Sequence, residues 1–210
     1  MKKIHLTISV IAIGIIALII FYFLSDNKKG DTELINTIIQ INDNDIILGN
    51  PNTKATIVLY FDYNCKYCNK FFENVYPELK SNFLDKNLAT LILRPVCKSN
   101  DIAATKAYQT VICINKFGQF NKLHRLLLHE PKIIYTKHFQ QLIDDYINTN
   151  ANVAECILNS DDEAIKKNIF QFQQLKTKGT PTFVINNKKI IGYKNYSFFE
   201  EELKNIIKEY

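Results

Sequence analysis

An almost unbroken run of apolar residues lies at the start of the chain. Residues 4–24 carry no charge apart from a possible one on His5. At about 1.5 Å per residue, a helix of this length would span about 31 Å, the thickness of a bilayer core. We therefore predict that residues 1–25 form an uncleaved N-terminal membrane anchor. A cleaved signal peptide is the alternative, although no small-residue cleavage site follows the segment.

The next segment, residues 26–44, is predicted to be a polar linker. It contains one weakly amphipathic stretch with apolar residues at positions 34, 35, 38 and 39. This stretch is compatible with a spacer, with a helix that packs on the following domain, or with a helix that mediates self-association. The sequence leaves the three alternatives open.

Strand patterns begin after this linker. The β-branched and apolar run Thr56–Phe61 predicts a buried strand, and an amphipathic helix follows it. That helix should be kinked at Pro77, because proline removes an intrahelical hydrogen bond. A second strand at Leu88–Leu93 completes a β-α-β pattern. Near the end of the chain, Asn186-Asn187 predicts a hairpin between strands at 179–185 and 188–192, followed by a helix over 197–210.

A helix-rich part interrupts this strand pattern. Asp101 is a suitable N-cap for a helix that ends before Gly118, and further helical patterns cover about 119–129, 134–148 and 162–177. We therefore predict that residues 99–178 form an inserted all-helical subdomain. The main domain would combine residues 45–98 with residues 179–210.

Composition and charge narrow the possible partners. The 210 residues carry a net charge of +5 that is spread along the chain, so we predict no nucleic-acid partner. Five cysteines in a chain whose body is expected outside the cytoplasm are compatible with disulfide bonds. No metal, nucleotide or flavin motif is present, so no cofactor is predicted.

The candidate chemistry lies at Cys65-Lys66-Tyr67-Cys68, between the predicted strand and the predicted helix. The unpaired N–H groups and the positive dipole end of a helix lower the pKa of a thiol placed there. We therefore predict that Cys65 is the attacking thiol and Cys68 the resolving thiol. One alternative is half of a zinc site, which would need two more Cys or His ligands at a suitable spacing. A purely structural disulfide is the other.

Two separated motifs resemble the DsbA-like thioredoxin-fold disulfide oxidoreductases of bacterial envelopes. Residues 49–68 match the pattern Gly-Asn-Pro, strand, Asp-Tyr-x-Cys-x-x-Cys, and residues 179–183 match Gly-Thr-Pro-Thr-Phe. The resemblance covers roughly residues 45–210 and implies an α/β thioredoxin fold, a central β-sheet flanked by helices. It also implies that Pro181 is cis and lies against the active-site cysteines, and that Thr180 presents its backbone to substrate. Tyr67 would offer an aromatic face to the same substrate.

The other cysteines also follow this family. The resemblance implies a structural disulfide between Cys113 and Cys156. Cys97 is then left over, either as a buried, inert thiol or as a cysteine that pairs between chains. Two positions depart from the family. Leu59 stands where many relatives carry an acidic residue that helps proton transfer, and Lys66-Tyr67 replaces the Pro-His dipeptide of the strong oxidase. A cation at Lys66 is expected to favour the thiolate of Cys65.

The function implied by this resemblance is thiol–disulfide exchange in the periplasm. The protein would introduce disulfides into exported, cysteine-containing proteins and would need a membrane partner to reoxidise it. Two alternatives stay open: an isomerase or reductase with the same fold, and a non-catalytic chaperone or binding module on a thioredoxin scaffold.

Overall fold

The computed structural model describes residues 14–16, 18–22, 33–160 and 162–208. Residues 14–16 and 18–22 are helical, and residues 33–38 form helix α1. The predicted anchor at residues 4–24 lies largely outside the described residues. Within the residues that the structure describes, no helix is long and apolar enough to cross a membrane.

Within the described residues, five strands form one mixed sheet in the order β1-β3-β2-β4-β5. The strands are β1 (Ile46–Gly49), β2 (Ala55–Phe61), β3 (Ala89–Pro95), β4 (Thr182–Ile185) and β5 (Lys188–Ile191). Strand β2 runs parallel to β3, and the other pairs are antiparallel. Nearly all residues of β2 and β3 are buried, as expected for strands covered on both faces. The sequence predicted both strands to within two residues, and it missed β1.

Two helices follow β2 where the sequence predicted one kinked helix. Helix α2 (Lys66–Asn74) ends at Val75, and helix α3 (Tyr76–Leu79) begins directly after it. Pro77 lies in the first turn of α3, where its missing N–H has no helical partner to lose. The predicted disruption near Pro77 is therefore present, but it divides the segment into two consecutive helices at Val75 instead of bending one continuous helix. A π-helical turn, Lys80–Leu84, then leads towards β3.

The helical insertion contains more elements than the sequence predicted. Its helices are α4 (Ile102–Phe117), α5 (Phe120–His129), α6 (Lys137–Thr149), α7 (Ala151–Leu158) and α8 (Glu163–Gln174), with a 3₁₀ turn at Pro131–Tyr135. The carboxylate of Asp101 accepts a hydrogen bond from the backbone N–H of Ala104, which confirms the predicted N-cap of α4. The sequence missed α7, which Asn150 caps by accepting from the N–H of Val153.

The two faces of the sheet bury two separate apolar clusters. Alternate residues of β2 point to opposite faces. Ile57, Leu59 and Phe61 face the larger cluster, which includes residues of α2, the helical insertion and α9 (Tyr196–Lys208). Val58 and Tyr60 face the smaller cluster, to which α1 and the segment after α8 contribute.

Buried Arg94 holds part of the predicted linker against the domain. Its guanidinium donates to both carboxylate oxygens of Asp45 at 2.7 Å and to the carbonyl oxygens of Ile38 and Gln40 at 2.7 and 2.9 Å. The side chain of Ile38 is itself fully buried. Of the alternatives for residues 26–44, the described part of the segment therefore matches a helix packed on the domain.

Candidate active site

A tight turn after β2 delivers Cys65 to the start of α2. The carboxylate of Asp62 accepts a hydrogen bond from the N–H of Asn64 at 2.8 Å, and the carbonyl of Asp62 accepts from the N–H of Cys65 at 2.9 Å. Cys65 is the N-cap residue of α2, with φ −88° and ψ 114°. Its sulfur therefore lies beside the free N–H groups at the positive end of the helix.

The second motif lies against this sulfur although it is 115 residues away in the sequence. In its protonated form, the Cys65 thiol donates to the carbonyl oxygen of Thr180, which lies 3.2 Å from the sulfur. The Thr180–Pro181 peptide bond is cis, and Pro181 is buried. Cys65 and Cys68 are both free thiols, so the structure shows the dithiol state.

The surroundings of Cys65 favour its thiolate. Its pKa falls from an ordinary value of 9.0 to about 5, chiefly because the Cys68 thiol donates to the charged sulfur. The Thr180 hydroxyl and the backbone N–H groups of Cys68 and Tyr67 contribute in the same direction, and partial burial opposes them. At neutral pH, a thiol with this pKa is mostly ionised, whereas a thiol with the ordinary value is mostly protonated.

Cys68 lies in a different environment. Its side chain is fully buried, and burial is the first cause that raises its pKa above the ordinary value. Hydrogen bonding to Cys65 raises it further. The pair is therefore asymmetric, with one half-buried, ionised sulfur and one buried, protonated sulfur.

The two residues between the cysteines are exposed to solvent. Tyr67 keeps 58% of its surface accessible, and Lys66 is also exposed. The contributions that lower the pKa of Cys65 are hydrogen bonds from Cys68, Thr180 and the helix backbone. The expected role of Lys66 in stabilising the thiolate stays a prediction.

Sequence reasoning missed a polar network that holds the residue before Cys65. The hydroxyl of Tyr108 donates to Asp62 at 2.5 Å, and that of Tyr135 donates to Asp101 at 2.7 Å. The side-chain amide of Asn64 lies 3.4 Å from both hydroxyl oxygens. Asp62 and Asn64 stand in the cysteine motif, but both tyrosines come from the helical insertion, where no local pattern marks them.

A second buried pair lies beneath the site. The hydroxyl of Tyr63 and Nδ1 of His124 are 2.8 Å apart. Burial lowers the pKa of His124 to about 3 and raises that of Tyr63, so both groups are neutral at physiological pH. Leu59 is fully buried and apolar, so it supplies no acid for proton transfer.

The remaining cysteines are one disulfide-bonded pair and one free thiol. Cys113 and Cys156, the pair that the resemblance implied, form a disulfide between α4 and α7, with Cα atoms 5.7 Å apart. Cys97 is free, its sulfur lies 3.4 Å from the hydroxyl of Thr105, and burial raises its pKa. Over the described part of the chain, no group of three or more His, Cys, Asp or Glu side chains is arranged to hold a metal ion.

Comparison with known proteins gives one family match and several relatives. The family model described as thioredoxin matches residues 41–209. A provisionally named protein-disulfide oxidoreductase of Rickettsia felis is 26% identical over 176 residues, which are 80% of this chain and 62% of that protein. The chain thus spans less than two thirds of the length of this curated relative.

Solved structures share the fold at low sequence identity. Wolbachia pipientis alpha-DsbA1 superposes with a TM-score of 0.67 and 20% identity, covering 83% of this chain and 96% of that one. Oxidised BdbD from Bacillus subtilis gives a TM-score of 0.61 and 17% identity, covering 79% of this chain and 94% of that one. These likenesses show that the fold is shared with solved proteins.

Proposed function

We propose that this chain, which belongs to the thioredoxin family, acts as a DsbA-like oxidoreductase that introduces disulfides into exported proteins through Cys65 and Cys68. The observation that carries this proposal is the asymmetry of the two thiols. A half-buried sulfur with a pKa of about 5 lies 3.2 Å from the carbonyl of Thr180, before cis Pro181, while its partner sulfur is buried and protonated.

The proposed reaction begins from the disulfide form. A substrate thiolate attacks the sulfur of Cys65, a mixed disulfide forms, and Cys68 leaves and takes up a proton. A second substrate thiolate then attacks the substrate sulfur of the mixed disulfide and releases Cys65 as a thiolate. Two electrons pass from the substrate dithiol to the protein, and the substrate leaves with a new disulfide.

The low pKa of Cys65 supports the oxidising direction. A thiol with a low pKa is a good leaving group, so the mixed disulfide breaks readily at Cys65. The same thiolate stabilises the dithiol form of the protein, which makes the disulfide form a stronger oxidant. An isomerase or reductase would use the same two sulfurs. This activity is the second candidate because a threonine before the proline, here Thr180, is also compatible with an isomerase.

Backbone pairing at the cis-proline segment is the proposed mode of substrate binding. Pro181 has no N–H, and the neighbouring polar groups of Thr180 can pair with an extended peptide by strand addition. Such a peptide would bring its sulfur over Cys65, and exposed Tyr67 would contact the peptide's side chains.

Envelope localisation and tethering belong to the same proposal. Residues 4–24 are long and apolar enough, as a sequence, to anchor the protein in the inner membrane, and the two lysines before them favour a cytoplasmic N-terminus. A membrane redox partner would then reoxidise Cys65 and Cys68 after each turnover.

The direct test is stoichiometric oxidation of a reduced two-cysteine peptide by the purified disulfide form of the protein. We expect one peptide disulfide for each protein dithiol that appears, and no reaction with Cys65→Ser. Cys97→Ser is the matched control and should react like the wild-type protein. If the peptide stays reduced while Cys65 and Cys68 stay oxidised, the oxidase proposal is wrong and a binding module takes its place.

A further inference from the structure

Three segments of the chain meet around Cys65. The first turns of α2 carry the two cysteines, and the loop before β4 brings Thr180 to 3.2 Å from the Cys65 sulfur. The loop after β5 lies against α2, because Nζ of Lys70 sits 4.7 Å from the ring centroid of Tyr193. These segments form the surface that a substrate must approach.

Their sequences are strongly one-sided in charge. Residues 63–72 and 176–196 contain seven lysines and no aspartate or glutamate, in a chain with 21 acidic residues. Five of these lysines lie in the three segments. We give the name basic rim to Lys66, Lys70, Lys178 and Lys194, and leave out Lys176 because it directly follows the C-cap of α8, farther along the loop from Thr180. The first three rim lysines are exposed and Lys194 is partly exposed.

The basic rim is not neutralised by neighbouring carboxylates. None of its four amino groups forms an ion pair with an acidic side chain within the described ranges, where the ion pairs found involve other cations. Lys70 and Lys194 instead lie over the rings of Tyr193 and Phe198. Cation–ring contacts of this kind leave the positive charge available to a ligand.

Three carboxylates lie close to these segments. Asp62 and Asp101 accept hydrogen bonds from Tyr108 and Tyr135, on the side of Asn64. Glu73 lines the cleft between α2 and α5. The charged side chains of the two segments that carry Cys65 and Pro181, residues 63–72 and 176–196, are all positive.

We propose that the basic rim selects polypeptides whose cysteines are flanked by acidic residues. This inference rests on the proposed oxidase function and names its preferred substrates. Positive charges around a site raise the rate of encounter with anionic ligands by 10- to 1,000-fold at low ionic strength. Charges closer than about 10 Å are incompletely screened at 0.1 M salt, so rim lysines within that distance of an approaching acidic segment attract it.

The test compares three reduced two-cysteine peptides that differ only in their flanking residues, which are glutamate, glutamine or lysine. The second-order rate of oxidation by the disulfide form of the protein is measured in 20 mM and 500 mM NaCl. Because flanking charge also changes the pKa of the peptide's thiols, each rate is divided by the rate of the same peptide with neutral hydroxyethyl disulfide. At low salt, we expect the normalised rate of the glutamate peptide to be at least 10-fold higher than that of the lysine peptide. At high salt, the two normalised rates should agree within about 2-fold.

Charge reversal locates the effect on the rim. The double variant Lys178→Glu/Lys194→Glu should abolish or invert the preference. Lys86→Glu/Lys122→Glu changes net charge equally at exposed sites outside these segments, and it should keep the wild-type preference.

Each outcome has one meaning. Equal normalised rates for the three peptides, or a preference that survives the rim variant, would overturn the specificity proposal while leaving the oxidase intact. If the glutamine peptide is not oxidised at all, the proposed function itself fails. If the rim variant loses only its binding to phosphatidylglycerol vesicles and its peptide rates are unchanged, the rim binds lipid and the peptide proposal is wrong.

Discussion

Replacing Cys68 with alanine should raise the pKa of Cys65, because the Cys68 thiol is the largest single cause of the lowered value. Hydrogen bonds to charged groups contribute about 1.5–3 kcal/mol, and one pKa unit corresponds to about 1.36 kcal/mol. The hydrogen bond therefore accounts for roughly one to two pKa units. Since Cys65 is only half-buried, we expect the lower part of this range and a pKa near 6, compared with about 5 in the wild-type protein.

The thiolate can be followed by its ultraviolet absorbance near 240 nm and by the rate of alkylation with iodoacetamide, both between pH 3 and pH 8. Other cysteines do not interfere, because burial raises the pKa values of Cys68 and Cys97, and Cys113 and Cys156 are joined in a disulfide. Cys68→Ser keeps a donor at the same position and should retain a lower midpoint than Cys68→Ala.

Two results would refute this reasoning. A wild-type midpoint near 9 would mean that the start of α2 does not stabilise the thiolate. An unchanged midpoint in Cys68→Ala would mean that the helix backbone and Thr180 lower the pKa without help from the buried thiol.

Three further predictions concern stability. The folded-state pKa of Cys65 lies below its ordinary 9.0, so its thiolate stabilises the dithiol form fully above pH 9 and loses that effect as pH falls towards 5. Urea unfolding should therefore show the free energy of unfolding of the dithiol form falling, relative to that of the disulfide form, between pH 9 and pH 5. A constant offset between the two forms over this range would contradict the prediction. Asp45→Asn leaves the charge of Arg94 buried without its counter-ion and should lower the free energy of unfolding by about 3–5 kcal/mol, whereas a loss below about 1 kcal/mol in urea titrations would show that the pair is not needed. Replacing both Cys113 and Cys156 with alanine should lower the free energy of unfolding by up to about 4 kcal/mol, because the disulfide closes a loop of 43 residues. A urea unfolding midpoint equal to that of the wild-type protein would contradict this prediction.

The sequence predicted the central strands and the cysteine motif because their signals are local. A β-branched run sets β2, and two cysteines three positions apart at a helix start set the chemistry. The position of the Thr180–Pro181 segment beside Cys65 came from the family resemblance, since no local pattern relates Cys65 to Thr180, which is 115 positions away.

The missed features depend on contacts between distant segments. Strand β1 has only four residues, too few for a clear periodic pattern, and it exists because it pairs with β3. The sequence predicts that Arg94 lies at the end of a strand. It is buried because α1 and Asp45 pack over it. Tyr108 contributes to the site only because the insertion places α4 beside Asp62.

The reduction potential of the Cys65–Cys68 pair tests the central claim most directly. The purified protein is equilibrated against glutathione buffers of graded ratio, and free thiols are counted at each step, with Cys65→Ser as the control. The stabilised thiolate predicts a potential nearer to about −120 mV than to about −270 mV. A potential at the reducing end, or no titration at these two cysteines across that range, would contradict the oxidase account.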